Sequence, residues 1–428
     1  MRLFLRAVLE LPASLRAAAS LPRLLSEEGH LSLEEGVGPS PPAGRWWLLR
    51  VGLYEVQRPK QRAEDWVWIM DHTIQLGRTR VLLVVGLRQS AWEAQGRGTL
   101  SHQDLQTLAL VPAQQSSAEV VAAELKKVAQ VTGPPRAILS DQCRELNRAV
   151  ELFQAQHPKT LGLNDIKHRL ALLLERRLTP DPRWAEFLPA CHQMRKKSQQ
   201  TTVAFLAPPV TKEKARFMNL GELVRWATAT RQFLEHPLMP PGAALDAQRL
   251  ENVFGGLRKF DAPLVQWQGL MNLIDTTLQH IRQQGYYRGC DQTLRRLLQP
   301  LGRDEETNQF REQTLAFVAE QTACLAPHEH LPGTSEVIES LIGKGKRLEG
   351  QQSKGGFTRM VLGLAAAVVN PSTEYLSQAL TAIRTKHVIQ WAQTCLGSSL
   401  QGLRQQTLGR LTVTQIRNKL LTDPTPTF

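Results

Sequence analysis

Two short apolar runs in this sequence each end on an acid. WVWIMD closes on Asp71 and RAILSD closes on Asp141. Two carboxylates brought close together repel, and burial raises their pKa values, unless divalent cations neutralise them. Hard oxygen ligands of this kind suit Mg²⁺ or Mn²⁺. Two such ions about 4 Å apart activate a water and stabilise the leaving oxygen of a phosphodiester. That chemistry needs no nucleophilic side chain, and the sequence holds no G-x-S-x-G, Walker A or zinc-protease pattern. Each aspartate also has a plainer reading: a turn residue, or for Asp141 the N-cap of the helix that begins near Cys143.

A third acid is expected from a later helix. The stretch TSEVIESLIGKGK offers Glu339, with Glu336 as the alternative. The two stand three residues apart and so share a helix face. The plainer reading is a solvated face, or Glu336 as capping partner of Thr334 or Ser335.

The elements that must position these acids follow from periodicity. WVWIMDHTI, RVLLVVGLR (80–88) and TLALVPA (ending at 113) read as three strands, with Gly77 and Arg78 as the first turn and a short turn before the third. A helix SAEVVAAELKKVAQVTG, the strand RAILSD (136–141), a helix from Arg144, the strand TLGLND (160–165) and a helix IKHRLALLLERRL follow. Three meandering strands, then strands alternating with helices, predict a mixed five-stranded sheet with parallel later members. This order resembles the RNase H-like one, in which the first and fourth strands lie side by side at the centre. There Asp71 and Asp141 would stand a few ångströms apart at two strand ends.

Around this α/β core the chain predicts helices. Residues 3–27 read as two short helices broken near Pro12, with Ser14 capping the second. GVGPSPPAG (36–44) reads as a break, and RWWLLRVGLYEV as a helix carrying Arg45 and Arg50. That layout is either a helix-turn-helix-like DNA-reading region or a helical hairpin packed on the core. Residues 180 to about 330 show no strand alternation and predict an all-α insertion. After it come the helix with Glu339, a second helix FTRMVLGLAAAVVN ended by Pro371, and two or three more. The expected division is 1–60, 61–178, 179–330 and 331–428.

Composition narrows the partner. The 428 residues carry 52 Lys and Arg against 39 Asp and Glu, a formal net charge of +13. A basic surface favours a polyanion, because each neutralised phosphate releases counterions. The hydrophobic fraction of 42% and charged fraction of 21% are ordinary for a globular protein and argue against a disordered chain. The five cysteines stand far apart, with no C-x-x-C pair, which argues against a zinc ribbon or a disulfide framework and for a reducing, cytoplasmic setting. No window reaches about 18 uncharged apolar residues, so no membrane span is expected.

Three stretches carry a family resemblance: WVWIMDHTIQLG, RAILSDQCREL and TSEVIESLIGKGK. The chain resembles bacterial insertion-sequence transposases of the DDE class, many of which end on a Y-(2)-R-(3)-E-(6)-K signature. Glu339 and Lys346 keep the E-(6)-K spacing, while Pro332 and Ser335 occupy the Tyr and Arg places. The resemblance implies that Asp71, Asp141 and Glu339 bind two Mg²⁺ (or Mn²⁺). It implies hydrolysis at the terminal repeats of a double-stranded DNA element and transfer of the 3′-OH to target DNA. It also implies a homodimer or larger complex, nucleoid-associated in the cytoplasm, and phosphate contacts from lysines such as Lys344 and Lys346.

A second likeness is to transposases of the hAT and Mutator kind, whose core is interrupted by a helical domain. Those often carry C-x-x-H after the fifth strand; here Asp165 to His168 hold the place, with Asp for Cys. His168 would then lie near the site, or else Asp165 is a helix cap and His168 a surface residue. Such enzymes stack an aromatic residue of the insertion on a base, which makes Trp226 and Trp267 candidates beside the plainer reading of core residues. MRKKSQQT (194–201), with Lys196 and Lys197, and KEKAR (212–216) are candidate phosphate-tracking runs or solvated faces. Cys143 stands where a small residue or glycine is usual in the family. Two alternatives therefore stay open: an RNase H-like nuclease that only cuts, and an inactive transposase-derived DNA-binding protein.

Overall fold

A computed structural model of the chain describes residues 1–11, 13–31, 38–76, 79–113, 116–210, 217, 220–237, 246–302, 304–350, 359–397 and 415. The chain opens with α1 (Arg2–Leu9) and α2 (Leu15–Glu27). Ser14 caps α2, its hydroxyl accepting from the Ala17 amide at 3.0 Å. α3 (Pro41–Gln57) starts inside the stretch expected to break the chain. Proline is preorganised for the first helical positions, so with Ser40 as N-cap the PPAG segment joins the helix. Residues 36 and 37 of that stretch lie outside the described residues, as do Pro12 and the expected turn at Gly77 and Arg78.

β1 (Trp66–Leu76) and β2 (Thr79–Arg88) follow. β1 continues five residues beyond Asp71, so this acid sits within the strand and not at its end, as the sequence suggests. The β-branched, buried Thr73 suits the pleat past the acid. The connection to β3 (Gln106–Ala113) is no short turn either: α4 (Gln89–Ala94) and a 3₁₀ turn at His102–Asp104 intervene. Buried Trp92 anchors this excursion and donates its indole N–H to Gly98 O at 3.0 Å. Gly96 and Gly98 supply the left-handed backbone that closes it.

α5 (Ala118–Thr132), β4 (Ala137–Ser140), α6 (Arg144–Gln154), β5 (Leu161–Asn164) and α7 (Ile166–Leu178) then alternate as expected. The mixed sheet has the order β3-β2-β1-β4-β5, with β2 and β3 antiparallel and β4 and β5 parallel. The helices α8 (Pro182–Ser198), α9 (Leu220–Glu235), α10 (Ala247–Phe254) and α11 (Asp261–Gln284) come next. β6 (Tyr286–Tyr287), α12 (Cys290–Leu298), α13 (Glu305–Thr322) and β7 (His330–Leu331) complete this region. It is thus not purely helical: β6 and β7 pair antiparallel, Tyr286 with Leu331 and Tyr287 with His330. Two residues are too few to show alternation in a sequence.

The chain ends, among the described residues, with α14 (Glu336–Gly350), α15 (Leu362–Ala366), α16 (Thr373–Ala382) and α17 (Thr385–Leu396). Of the helix expected over FTRMVLGLAAAVVN, residues 357 and 358 lie outside the described residues, and the rest holds a 3₁₀ turn at Arg359–Val361 and the five residues of α15. All five are buried, so the segment has no amphipathic face and is shaped by its packing.

Residues 1–87, 100–135 and 336–428 form one compact unit, and residues 88–99 and 136–335 a second. In the first unit α3 packs on α1, α2, α15, α16, α17 and β3. The contact with α15 depends on Gly52, where a Cβ would lie 2.0 Å from Leu362 O. The N-terminal helices are therefore built into this unit's core.

Glu55 lies 1% exposed at the centre of the same packing. Its carboxylate accepts from Arg58, from Lys60 at 2.9 Å, from the Thr107 amide at 3.1 Å and from the Tyr375 hydroxyl at 2.6 Å. Burial alone would raise its pKa, but Arg58 and Lys60 outweigh that and hold it below the usual carboxylate range. Burial in turn pushes the Lys60 ammonium down to about 8, against the pull of Glu55.

The second unit has an aromatic core. Trp267 meets Trp184 edge-on at 4.8 Å, with Phe187 at 5.0 Å and Phe260 at 6.5 Å. Here α11 packs on α7, α9, α12 and α13, α6 covers β4 and β5, and α4 rests on β7.

Replacing Glu55 by Gln strips Arg58 and Lys60 of their buried counter-charge, which is expected to cost about 3–5 kcal/mol. Urea melts of the two proteins measure it, and a loss below about 1 kcal/mol would remove Glu55 from its central place.

Candidate functional site

In the first unit, Asp71 follows the buried run Trp66–Met70 and is itself half-buried. Beside it His72 places Nε2 2.6 Å from the Ser116 hydroxyl, and Thr73 is buried. α14 packs on β1, the strand that carries Asp71. Val337, Ile338, Leu341 and Ile342 form the buried face of α14. Glu336 and Glu339 flank that face in the first turn, both half-buried. Acids are favoured there by the unpaired amides and dipole of the helix N-terminus.

Further along α14, Ser340 Oγ lies 3.2 Å from His102 Nε2. Burial lowers the His102 pKa, and Lys344 and Arg347 lower it further. Lys344 is half-buried and held below the ordinary ammonium range by burial and by Arg347, with Glu10 pulling the other way. Lys346 is exposed.

In the second unit, Asp141 directly follows the fully buried strand β4. Its Oδ1 accepts from the Cys143 amide at 3.1 Å, so it forms a turn two residues ahead of α6. The N-cap itself is Cys143, without a side-chain bond; the cap reading of Asp141 is off by two residues.

Asp165 is the N-cap of α7 and is completely buried. Oδ1 accepts from the amides of Lys167 and His168, and Oδ2 from the Ser335 amide at 2.7 Å and from the Ser335 hydroxyl. His168 Nδ1 stands 3.3 Å from Oδ2. Burial pushes the Asp165 carboxyl up, but His168 and Ser335 outweigh it and leave it below the usual range. Two adjacent backbone bonds reinforce the joint: Asp165 N to Ser140 O at 3.0 Å and Ile166 N to Gly333 O at 3.1 Å. Asp165 is thus a helix cap, and His168 is half-buried beside it. Ser335, read as a cap of α14, turns inward to it across 170 residues of sequence, and no spacing signals that partnership.

The candidate DNA contacts divide. Arg50 gives Nε to Ile383 O at 2.6 Å and a terminal N–H to Leu380 O at 2.5 Å, so it holds the end of α16. Burial lowers its pKa. Arg45 lies 6.0 Å from the ring of Trp46. Lys196 and Lys197 are exposed in the last turn of α8, while 212–216 lie outside the described residues. Trp267 is 1% exposed and belongs to the core. Trp226 is half-buried, its indole donating to Leu206 O at 2.9 Å. Cys191 is likewise structural, its buried thiol pushed up to about 12.

Among the described residues, no group of three or more His, Cys, Asp or Glu stands in the arrangement of a metal site. No helix among them is long and apolar enough to cross a membrane. No protein-family model matches the chain, and no curated protein matches it. One of the solved structures similar to it is the Drosophila P element transposase strand transfer complex. The two are 12% identical, with a TM-score of 0.43, over 87% of this chain and 92% of that chain.

Asp165→Asn presents an amide N–H₂ toward the donors that its carboxylate satisfies, which is expected to cost about 1–3 kcal/mol at neutral pH. A depressed carboxyl pKa gives stability that is complete above the unfolded value of about 3.9 and is lost as pH falls through the folded value. The gap between wild type and variant in urea melts should therefore narrow below about pH 4. A gap independent of pH would show that the charge of Asp165 does not matter.

Proposed function

We propose that this chain is a DNA transposase of the DDE class with an RNase H-like core. Asp71, Asp141 and Glu339 would hold two Mg²⁺ (or Mn²⁺), with Glu336 as the alternative third ligand. The packing of α14 on β1 carries the reading, because it lays the helix bearing Glu336 and Glu339 against the strand bearing Asp71. The mixed strand order and the net charge of +13 support it. The donor type would suit the ions, since all are half-buried carboxylates, although the described residues do not gather three acids into a metal site.

When bound, the two ions would supply a water nucleophile at neutral pH and charge stabilisation for the leaving 3′ oxygen. The protein's own share is positional. The turn at Asp141 fixes one of its oxygens on the Cys143 amide. The buried face of α14 fixes the rotation of the helix, and so the direction of its two acids. Half-burial keeps competing water low and strengthens the attraction of each carboxylate for a cation. The substrate is double-stranded DNA with two element ends, which calls for a dimer or larger assembly to join them.

The test is cleavage of DNA carrying the element's terminal repeats, with Mg²⁺, by the full chain. Asp71→Ala, Asp141→Ala and Glu339→Ala should each lower the rate about a hundredfold or more, the loss of several kcal/mol of charge stabilisation. Glu336→Ala should stay near wild type if Glu339 is the ligand. Products joined to target DNA mark a transposase, nicks alone mark a nuclease, and no cleavage marks a DNA-binding derivative. Full activity in both aspartate variants would end the metal-site reading.

A further inference from the structure

Two arginines in the first unit share one aromatic ring. Arg45, in the first turns of α3, has its guanidinium carbon 6.0 Å from the ring centroid of Trp46. Arg359, which opens the 3₁₀ turn before α15, approaches the same ring to 4.9 Å. Two positive groups thus share one indole. Arg58, Arg136, Arg183, Arg231 and Arg295 each face a carboxylate. Among the described residues, neither Arg45 nor Arg359 has one. Burial lowers the Arg359 pKa and Arg45 lowers it further, with no acid opposing them. Arg45 Nε is buried without a hydrogen-bond partner.

The position is firmly held. Trp47 meets Phe4 edge-on at 5.8 Å, and Leu48 and Leu49 are buried, so the rotation of α3 is fixed around Trp46. Gly44 admits Phe4 to a place where a Cβ would lie 2.0 Å from its ring. Two like charges held together on a rigid support are unfavourable unless an anion joins them. Guanidinium groups recognise phosphate oxygens through paired N–H donors, and the N-terminal end of a helix adds to the attraction.

We propose that Arg45 and Arg359, aligned on Trp46, form a contact site for the phosphodiester backbone of duplex DNA. The site rests on the DNA-processing reading for its ligand but not on the catalytic acids. It positions the duplex without reading its sequence, since backbone contacts carry no base information.

The test measures binding of the full chain to a short fluorescent DNA duplex in EDTA, over about 50–200 mM salt. Each lost phosphate contact lowers the slope of log K against log salt by about 0.9. R45Q/R359Q should lower the slope by about two such steps, equally for unrelated sequences, and R45K/R359K should keep it. In the wild type, duplex DNA should protect Arg45 and Arg359 from an arginine-specific dicarbonyl reagent, read by mass spectrometry, while Arg288, exposed just after β6 in the second unit, stays reactive. An unchanged slope or unprotected arginines would overturn the site, and so would a wild type that binds no duplex at low salt. Binding with this slope change but no Mg²⁺-dependent cleavage would sink the catalytic reading and leave the site standing.

Discussion

One buried carboxylate organises the first unit. Glu55 sits on α3 and gathers donors from the end of its own helix, from the following loop, from β3 and from α16. A lone buried charge would cost many kcal/mol, and a pair alone seldom recovers that cost. Here each oxygen meets several donors, and the surplus cation, Lys60, is the group whose pKa yields. The arrangement does more for specificity than for raw stability, because a carboxylate accepts only donors that arrive at the right place. It fixes α3 against the edge of the sheet, and through Gly52 it fixes α15 against α3. The rotation of α3 that places Trp46 beside Arg359 is held by the same packing.

Local pattern made most elements legible. The strand RVLLVVGLR and the helices from Ala118, Arg144 and Ile166 carry period-two or period-3.6 signals strong enough to stand without context. Ser14 and Asp165 announce helix starts by side-chain chemistry that acts over three residues. What escaped has in common a cause far away in sequence. α15 is short because α3 and α14 surround it, which an apolar run cannot reveal. The excursion between β2 and β3 exists because Trp92 finds a buried place. Tyr286 and Leu331 pair across more than forty residues, with only two residues in each strand.

The candidate acids were legible to unequal depth. Asp71 stands on a strand and Asp141 just after one, although β1 runs past the first and a tight turn holds the second. The choice between Glu336 and Glu339 turns on the rotation of α14, which its apolar face sets and its spacing alone does not. Arg50 shows the converse limit: a basic residue on an outer helix reads as a DNA contact until its carbonyl partners, some 330 residues away, are known. Arg359 has no signal in its own neighbourhood and gains meaning only beside Trp46.

The order of the chain also decides when each part can exist. The second unit is complete once Ser335 has been made, whereas the first still waits for everything from Glu336 onward. Until then a growing chain on the ribosome holds Glu55 without Tyr375, and the Gly52 face of α3 without α15. Residues of α3, made before the second unit, are therefore completed after it. Arg58, Lys60 and Thr107 can meet Glu55 early, and Tyr375, made some two hundred residues of second unit later, closes the set.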